Sequence, residues 1–182
     1  GSEGEKLDII HAGGRHLLTL VDDILDLSRI EAGKMPLAPE TIVLGPFLQS
    51  IADMVEFQAR RKSLDWRFDA ADGLPAAIEA DPVRLRQILL NLLNNAVKFT
   101  DAGHVRFGIS RLRDGDGAAR SEVADTGRGM APEDLAMVFR PFEQAGGHGG
   151  NPGGAGLGLA ISRELARMMN GEIRLESREG EG

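Results

Sequence analysis

The stretch from Asp81 to Phe99 constrains the fold most, because one side of it must be covered and the other side resists covering. Asp81-Pro82 offers an N-cap acceptor followed by proline at the first helical position. On a helix of about 3.6 residues per turn, Leu85, Ile88, Leu89, Leu92, Leu93 and Ala96 fill one broad apolar side that should face a sheet. Arg84, Gln87, Asn91, Asn94, Asn95 and Lys98 gather on the other side within an arc of roughly 100°. That polar side is chemically odd. A face turned only to water favours Glu, Lys and Gln, since Asn is a mediocre helix former, yet three Asn fall between positions 91 and 95. Neutral amide oxygens suit Mg²⁺ without repelling phosphates, and Lys98 can pair with phosphate as a point charge. Taken alone, an ordinary exposed polar face explains the pattern as well.

The rest of the chain supplies the layers around this helix. Residues 5–33 read as one long helix, with Leu7, Ile10, Leu17, Val21 and Ile24 at spacings of three, four and seven, and Leu18, Leu20, Leu25 and Leu27 widening the stripe. So broad a stripe suits a helical bundle. Gly33 is a C-cap candidate, and Pro36 and Pro39 break the pattern, which makes 36–45 a linker candidate. Phe47–Arg60 reads as an amphipathic helix, Leu64–Phe68 as a strand by alternation, and Ala77–Glu79 as a second short strand. His104–Ser110 and Arg120–Ala124 read as strands around an Asp114-Gly115-Asp116-Gly117 turn. Pro132–Val138 and Leu159–Met169 read as helices, with Gly171 stopping the second and Glu172–Ser177 following as a strand. Between them, residues 145–158 hold eight glycines, a loop by composition.

Composition narrows the function. With 42% hydrophobic residues in 182, one full domain and an appendage can be built. A net charge of −7 argues against a nucleic-acid partner, which calls for a basic face. Aromatics make up only 4%, too few for a base-stacking platform. With no Cys, thiolate metal sites and disulfides are excluded. No apolar run approaches ~18 residues, so no membrane contact is expected of this stretch. Gly1-Ser2 reads as a cloning scar.

Two further stretches can carry chemistry, although taken singly the first is explained as well by an ordinary Asp-Gly turn and the second by a plain flexible linker. A carboxylate at a strand end, Asp125, is acceptor-only and can take an exocyclic amine, while Gly127 and Gly129 let the backbone approach a flat ring. Gly154-Ala155-Gly156-Leu157-Gly158-Leu159 runs into a helix whose free N–H groups and macrodipole favour a phosphate. A P-loop would end in Gly-Lys-Ser/Thr, and a dinucleotide fold needs G-x-G-x-x-G after its first strand; neither occurs here.

Taken in order and spacing, these stretches resemble the catalytic ATP-binding domain of sensor histidine kinases in the GHKL superfamily. Asp81–Thr100 is similar to the N box, Val123–Met130 to the first glycine box, Val138–Gln144 to the F box and Gly154–Ile161 to the second glycine box. Leu17–Lys34 is similar to the second helix of the dimerisation and phosphoacceptor hairpin. The resemblance implies an α+β fold, a two-layer α/β sandwich with a mixed sheet on about three helices, preceded by a long N-terminal bundle helix. It implies a partial hairpin over 1–35, a linker over 36–45 and the catalytic domain over 46–182. It also implies roles. Asn95 would coordinate Mg²⁺ with Asn91 beside it, and Lys98 would reach phosphate. Asp125 would bind the adenine amine, with Gly127 and Gly129 lining the base. Phe139 and Phe142 would anchor an ATP lid, and Gly154, Gly156, Leu157 and Gly158 would wrap the phosphates. The implied partners are ATP, a response-regulator receiver domain and a second copy in the intact protein, in the cytoplasm.

Three departures bear on activity. None of His11, His16, His104 and His148 precedes the acidic and Arg-Thr-Pro-like run expected of a phosphoacceptor, so the acceptor helix lies outside this stretch. Ala155 stands where the family often has Thr, a lost hydroxyl worth about 1 kcal/mol, which keeps a degenerate nucleotide- or partner-binding domain as the alternative. The last glycines, Gly180-Glu181-Gly182, fall inside what resembles a final glycine motif. The superfamily's hydrolases place Glu four residues before the N-box Asn, whereas Gln87 stands there. A neutral amide is a poor general base, which favours transfer to an imidazole over hydrolysis.

Overall fold

The computed structural model describes residues 3–111, 119–143 and 155–182. Helix α1 (Glu3–Glu31) ends as expected at Gly33, whose φ is +64°. There Lys34 N–H donates to Arg29 O at 2.8 Å and Gly33 N–H to Ile30 O at 2.9 Å, a left-handed cap that returns the last carbonyls to partners. The segment expected as a linker holds a strand, β1 (Glu40–Val43). Only Ile42 of its four residues is buried, so no alternation was long enough to announce it. Helix α2 (Leu44–Arg61) follows directly, three residues earlier than its apolar pattern suggests.

Strands β2 (Asp65–Ala70) and β3 (Ala77–Ala80) precede helix α3 (Pro82–Phe99). Then come β4 (His104–Arg111), β5 (Ala119–Asp125), α4 (Pro132–Met137) and α5 (Gly158–Met168). The expected turn at 114–117 lies outside the described residues. The strands form two sheets. β1 pairs antiparallel with β3 in the register Ile42↔Ile78. The larger sheet runs β2-β4-β5, with β2 parallel to β4 (Phe68↔Phe107) and β4 antiparallel to β5 (Phe107↔Val123). It is therefore mixed, as expected.

Helices α2 and α3 cover this sheet. Their buried sides, including Leu48, Ile51, Val55, Leu89, Leu93 and Val97, meet Val105, Phe107 and Ile109 of β4 in one core. A second apolar cluster lies on the other side of α3, where Ile88 meets Leu27 of α1, Met35, and Leu157, Ile161 and Leu165 around α5. Thus α5 packs beside α3, and the C-terminal end of α1 rests on both.

Two expectations at the C-terminal side need correction. The left-handed residue closing α5 is Asn170 (φ +60°), not Gly171, although Gly171 N–H completes the cap by donating to Ala166 O at 2.8 Å. Residues 172–177 form no strand among the described residues. They lack a ladder partner; instead Ser177 and Gly180 bond the loop after β5, through Met130 N–H to Ser177 Oγ at 2.9 Å and Gly180 N–H to Arg128 O at 2.8 Å.

Asp81 caps α3 as anticipated: its Oδ1 accepts from Val83 and Arg84 N–H, both at 3.0 Å. Its Oδ2 also accepts from Ala38 N–H at 2.9 Å, which ties the segment before β1 to this helix. Burial alone would raise this carboxyl. The amides of Ala38, Arg84 and Val83, with the Arg84 guanidinium, outweigh burial and hold it below the usual carboxylate range. Its stabilisation is therefore complete above about pH 4 and is lost as pH falls through the lower folded value. Asp81→Ala is expected to cost about 1–2 kcal/mol in urea denaturation at neutral pH. The gap between variant and wild type should narrow as pH falls through the lowered folded value.

Candidate functional site

Rotation of α3 is set by its apolar side, and this turns the amide-rich side towards α5 and the loop after β5. Near the middle of the helix, Asn91 Nδ2 donates to Ser162 Oγ of α5 at 2.9 Å. Gly158, the first residue of α5, lies so close that a Cβ there would sit 2.4 Å from Asn91 Oδ1. A side chain at 158 would push the Asn91 amide from this position. Among the described residues no side chain caps α5, and the first N–H groups of a helix point outward along its axis. Asn95 lies one turn beyond Asn91, half-buried, and its amide takes no hydrogen bond among the described residues. Asn94 Oδ1 is buried and also without a partner.

At the far end of α3 the chain makes its second approach. Asp125 closes β5, and its Oδ1 accepts from Gly127 N–H at 2.8 Å and from the Thr100 hydroxyl at 3.3 Å. Thr100 is fully buried, and its hydroxyl also reaches Ala96 O at 2.7 Å. A Cβ at Gly127 would lie 2.6 Å from Phe99 O and 2.7 Å from Asp125 Oδ1. Gly129 has φ +62° and presses on the Arg178 carbonyl. Asn91 and Thr100 are nine residues apart, so the two approaches stand about 13 Å apart along the helix axis.

Cations flank this face. Lys98 Nζ lies 4.7 Å and the Arg128 guanidinium 4.8 Å from the Phe99 ring centre. Burial, and then repulsion from Arg128, lower the Lys98 pKa. An anion brought beside the pair would relieve that repulsion.

The residues on either side of the undescribed segment 144–154 also meet. Phe142 N–H donates to Gly156 O at 3.1 Å, with φ +67° at Phe142 and +71° at Gly156. A Cβ at Gly156 would lie 2.4 Å from Glu143 O. Phe139 sits half-buried beneath the Arg163 guanidinium, 4.9 Å from its ring centre, whereas Phe142 is 63% exposed. Leu157 is 1% exposed in the second apolar cluster, so only its backbone can meet a ligand. Gly154 lies outside the described residues. Ala155 packs its methyl against that same cluster.

Several contributors escaped the sequence. Thr100 closes the N-box stretch without a signal of its role, and Ser162 and Lys62 gave no signal, because their partners are fixed only by packing. Gln87 Nε2 donates to Asp26 Oδ2 of α1 at 3.0 Å while its Oε1 accepts from Arg84 at 2.8 Å. Arg84 in turn pairs with Asp26 at 2.8 Å. Both ends of the Gln87 amide are therefore occupied.

A mixed sheet covered by helices, with one helix turning amides and a lysine towards a glycine turn and a strand-end carboxylate, defines a class of nucleotide-binding catalytic domain. Residues 80–182 match the family described as histidine kinase-, DNA gyrase B-, and HSP90-like ATPase, and the chain belongs to it. It is 43% identical over 176 residues to the non-motile and phage-resistance protein of Caulobacter vibrioides, covering 95% of this chain and 21% of that protein. It is 38% identical over 179 residues to histidine protein kinase DivJ of the same organism, covering 98% and 29%. The chain thus spans less than a third of either relative. Among solved structures, full-length ShkA in complex with AMPPNP superposes with a TM-score of 0.82 at 36% identity, covering all of this chain and 37% of that one. The fold and the relatives together make this an ATPase-type catalytic domain of sensor histidine kinases. Among the described residues no helix is long and apolar enough to cross a membrane.

The close approaches at Gly127 yield a direct check. Gly127→Ala forces its methyl against the Phe99 carbonyl and the Asp125 carboxylate. A loss of about 1–3 kcal/mol is expected in chemical denaturation.

Proposed function

We propose that this chain is the module of a two-component sensor histidine kinase that binds Mg·ATP and delivers its γ-phosphoryl group to a histidine outside the stretch described, for relay to the aspartate of a response-regulator receiver domain. The meeting of Asn91 with Gly158 and Ser162 near the middle of α3, and of Thr100 with Asp125 and Gly127 at its C-terminal end, carries this reading. Asp125 accepts the adenine amine, with Gly127 and Gly129 allowing the ring to approach. Gly154, Gly156, Leu157 and Gly158 offer backbone N–H groups to the phosphates, with Phe139 and Phe142 anchoring the lid between them. Lys98 pairs with a phosphate oxygen.

The donor set fits Mg²⁺. Asn95 has an amide without a hydrogen-bond partner among the described residues, Asn91 stands one turn away, and both are hard neutral ligands suited to a cation already bearing phosphates. When bound, the ion neutralises charge on the phosphate oxygens. The chain's own contribution is orientation and charge, as phosphoryl transfer requires. Gln87, held at both ends by Asp26 and Arg84, has no site to take a proton from water. That favours an imidazole acceptor, a competent nucleophile near neutral pH, over hydrolysis. The relatives' names favour an active kinase over a degenerate domain.

Helix α1 fits the second helix of a dimerisation hairpin. Its outer face carries Leu7, Ile10, Leu17, Leu18, Val21, Ile24 and Leu25, each 45–70% exposed. We assign this face to the partner hairpin helix and a second copy in the intact, dimeric protein, with the module in the cytoplasm.

Calorimetric titration with a non-hydrolysable ATP analogue, with and without Mg²⁺, tests the reading; no binding in either condition would end it. Asp125→Ala should weaken nucleotide binding about ten- to hundredfold, the loss of a hydrogen bond to a charged group, with little change in melting. Asn95→Ala should lower transfer about 100-fold or more once an acceptor helix is supplied. Wild-type rates in that variant would remove Asn95 from the site. The chain by itself should take no radiolabel from ATP on any of its four histidines.

A further inference from the structure

We propose that Lys62, which follows α2 and lies outside every motif of the site, is a positioning residue for nucleotide binding. This rests on the ATP-site reading above. The Lys62 ammonium has three N–H donors, and three main-chain carbonyls take them: Val97 O at 2.9 Å, Lys98 O at 2.9 Å and Thr100 O at 2.8 Å. Among the described residues its one ion-pair partner is the exposed Asp101, at 3.7 Å. The side chain is only 35% exposed, and its charge stands at the C-terminal end of α3, where a cation is favoured.

The third carbonyl makes this more than a helix cap. Thr100 lies past the last turn, and its side chain is the one that reaches Asp125. Around it every carbonyl from 96 to 100 is taken. Ala96 O takes the Thr100 N–H at 3.1 Å and its hydroxyl at 2.7 Å. Phe99 O takes Arg128 N–H at 3.4 Å, and the remaining three take Lys62. The turn that presents Asp125 and Gly127 is therefore seated on peptide units that Lys62 holds in place.

Lys62 itself is aimed by strain. The residue after it, Ser63, adopts φ +57°, so that Ser63 N–H reaches Arg60 O and Leu64 N–H reaches Ala59 O, both at 3.0 Å. This left-handed closure fixes the exit of α2 beside the end of α3.

The role predicts a defect on the base side of the site. Lys62→Met keeps the length and removes the donors. It should weaken ATP and ADP binding by the same factor, about tenfold, while leaving the gain in ATP affinity on adding Mg²⁺ unchanged. Amide exchange should accelerate at 97–101 and 125–129 and nowhere else. Lys62→Arg, which retains several donors, should recover part of the affinity. Ile42→Ala, a core truncation in β1, supplies a destabilised control that should bind nucleotide normally when folded. A folded Lys62→Met with wild-type affinity overturns the proposal, as does an equal loss in Ile42→Ala. Failure of the unaltered chain to bind ATP would instead strike the nucleotide-site reading, and this proposal with it.

Discussion

One cylinder, α3, has to satisfy two environments, and the remaining structure is arranged around that demand. Burying Ile88, Leu89, Leu93, Ala96 and Val97 is worth about 1.5–3 kcal/mol for each large side chain. Turning the helix by one residue, about 100°, would lose that burial and drive asparagine amides into the sheet. Core packing therefore fixes the direction of the polar arc within narrow limits. The arc carries a cost of its own, since Asn94 Oδ1 is buried without a partner, the kind of expense that cores rarely keep without a use for it.

Charge then fixes the helix along its axis. A carboxylate stands at its start and an ammonium at its end, each on the side that the aligned peptide dipoles favour. Each also brings in a distant segment: Asp81 binds the backbone at Ala38, and Lys62 arrives from the end of α2. The site is strung between these two fixed points. Its phosphate side rests on Asn91 and the start of α5, and its base side on Thr100 and the end of β5.

This division explains what the amino-acid sequence disclosed. Asp81-Pro82, the period of α3, and the glycines at 127, 156 and 158 are local signals, each tied to a backbone or periodic requirement, and the fold uses each of them. Strand β1 was hidden because four residues with one buried side chain make no pattern. The stop of α5 was misplaced by one residue because Asn170 takes the left-handed conformation that a glycine usually takes. Residues 172–177 alternate well enough for a strand, yet strand formation depends on a neighbour, and the neighbouring loop offers side-chain and single backbone bonds instead. The roles of Thr100, Ser162 and Lys62 were invisible for the same reason: each acts through a partner 25 to 71 residues away.

The long N-terminal helix meets this system at a chemically loaded point. Asp26 pairs with Arg84 and accepts from Gln87, and both ions are largely withdrawn from solvent. Such a pair adds little net stability but penalises other registers, because separating it leaves a charge poorly solvated. The next residue, Leu27, joins Ile88, Leu157 and Ile161 in a single apolar cluster. Leu157 immediately precedes Gly158, which touches Asn91. The end of α1 thus touches α3 through Gln87 and α5 through Leu157, on either side of the contact between Asn91 and Gly158.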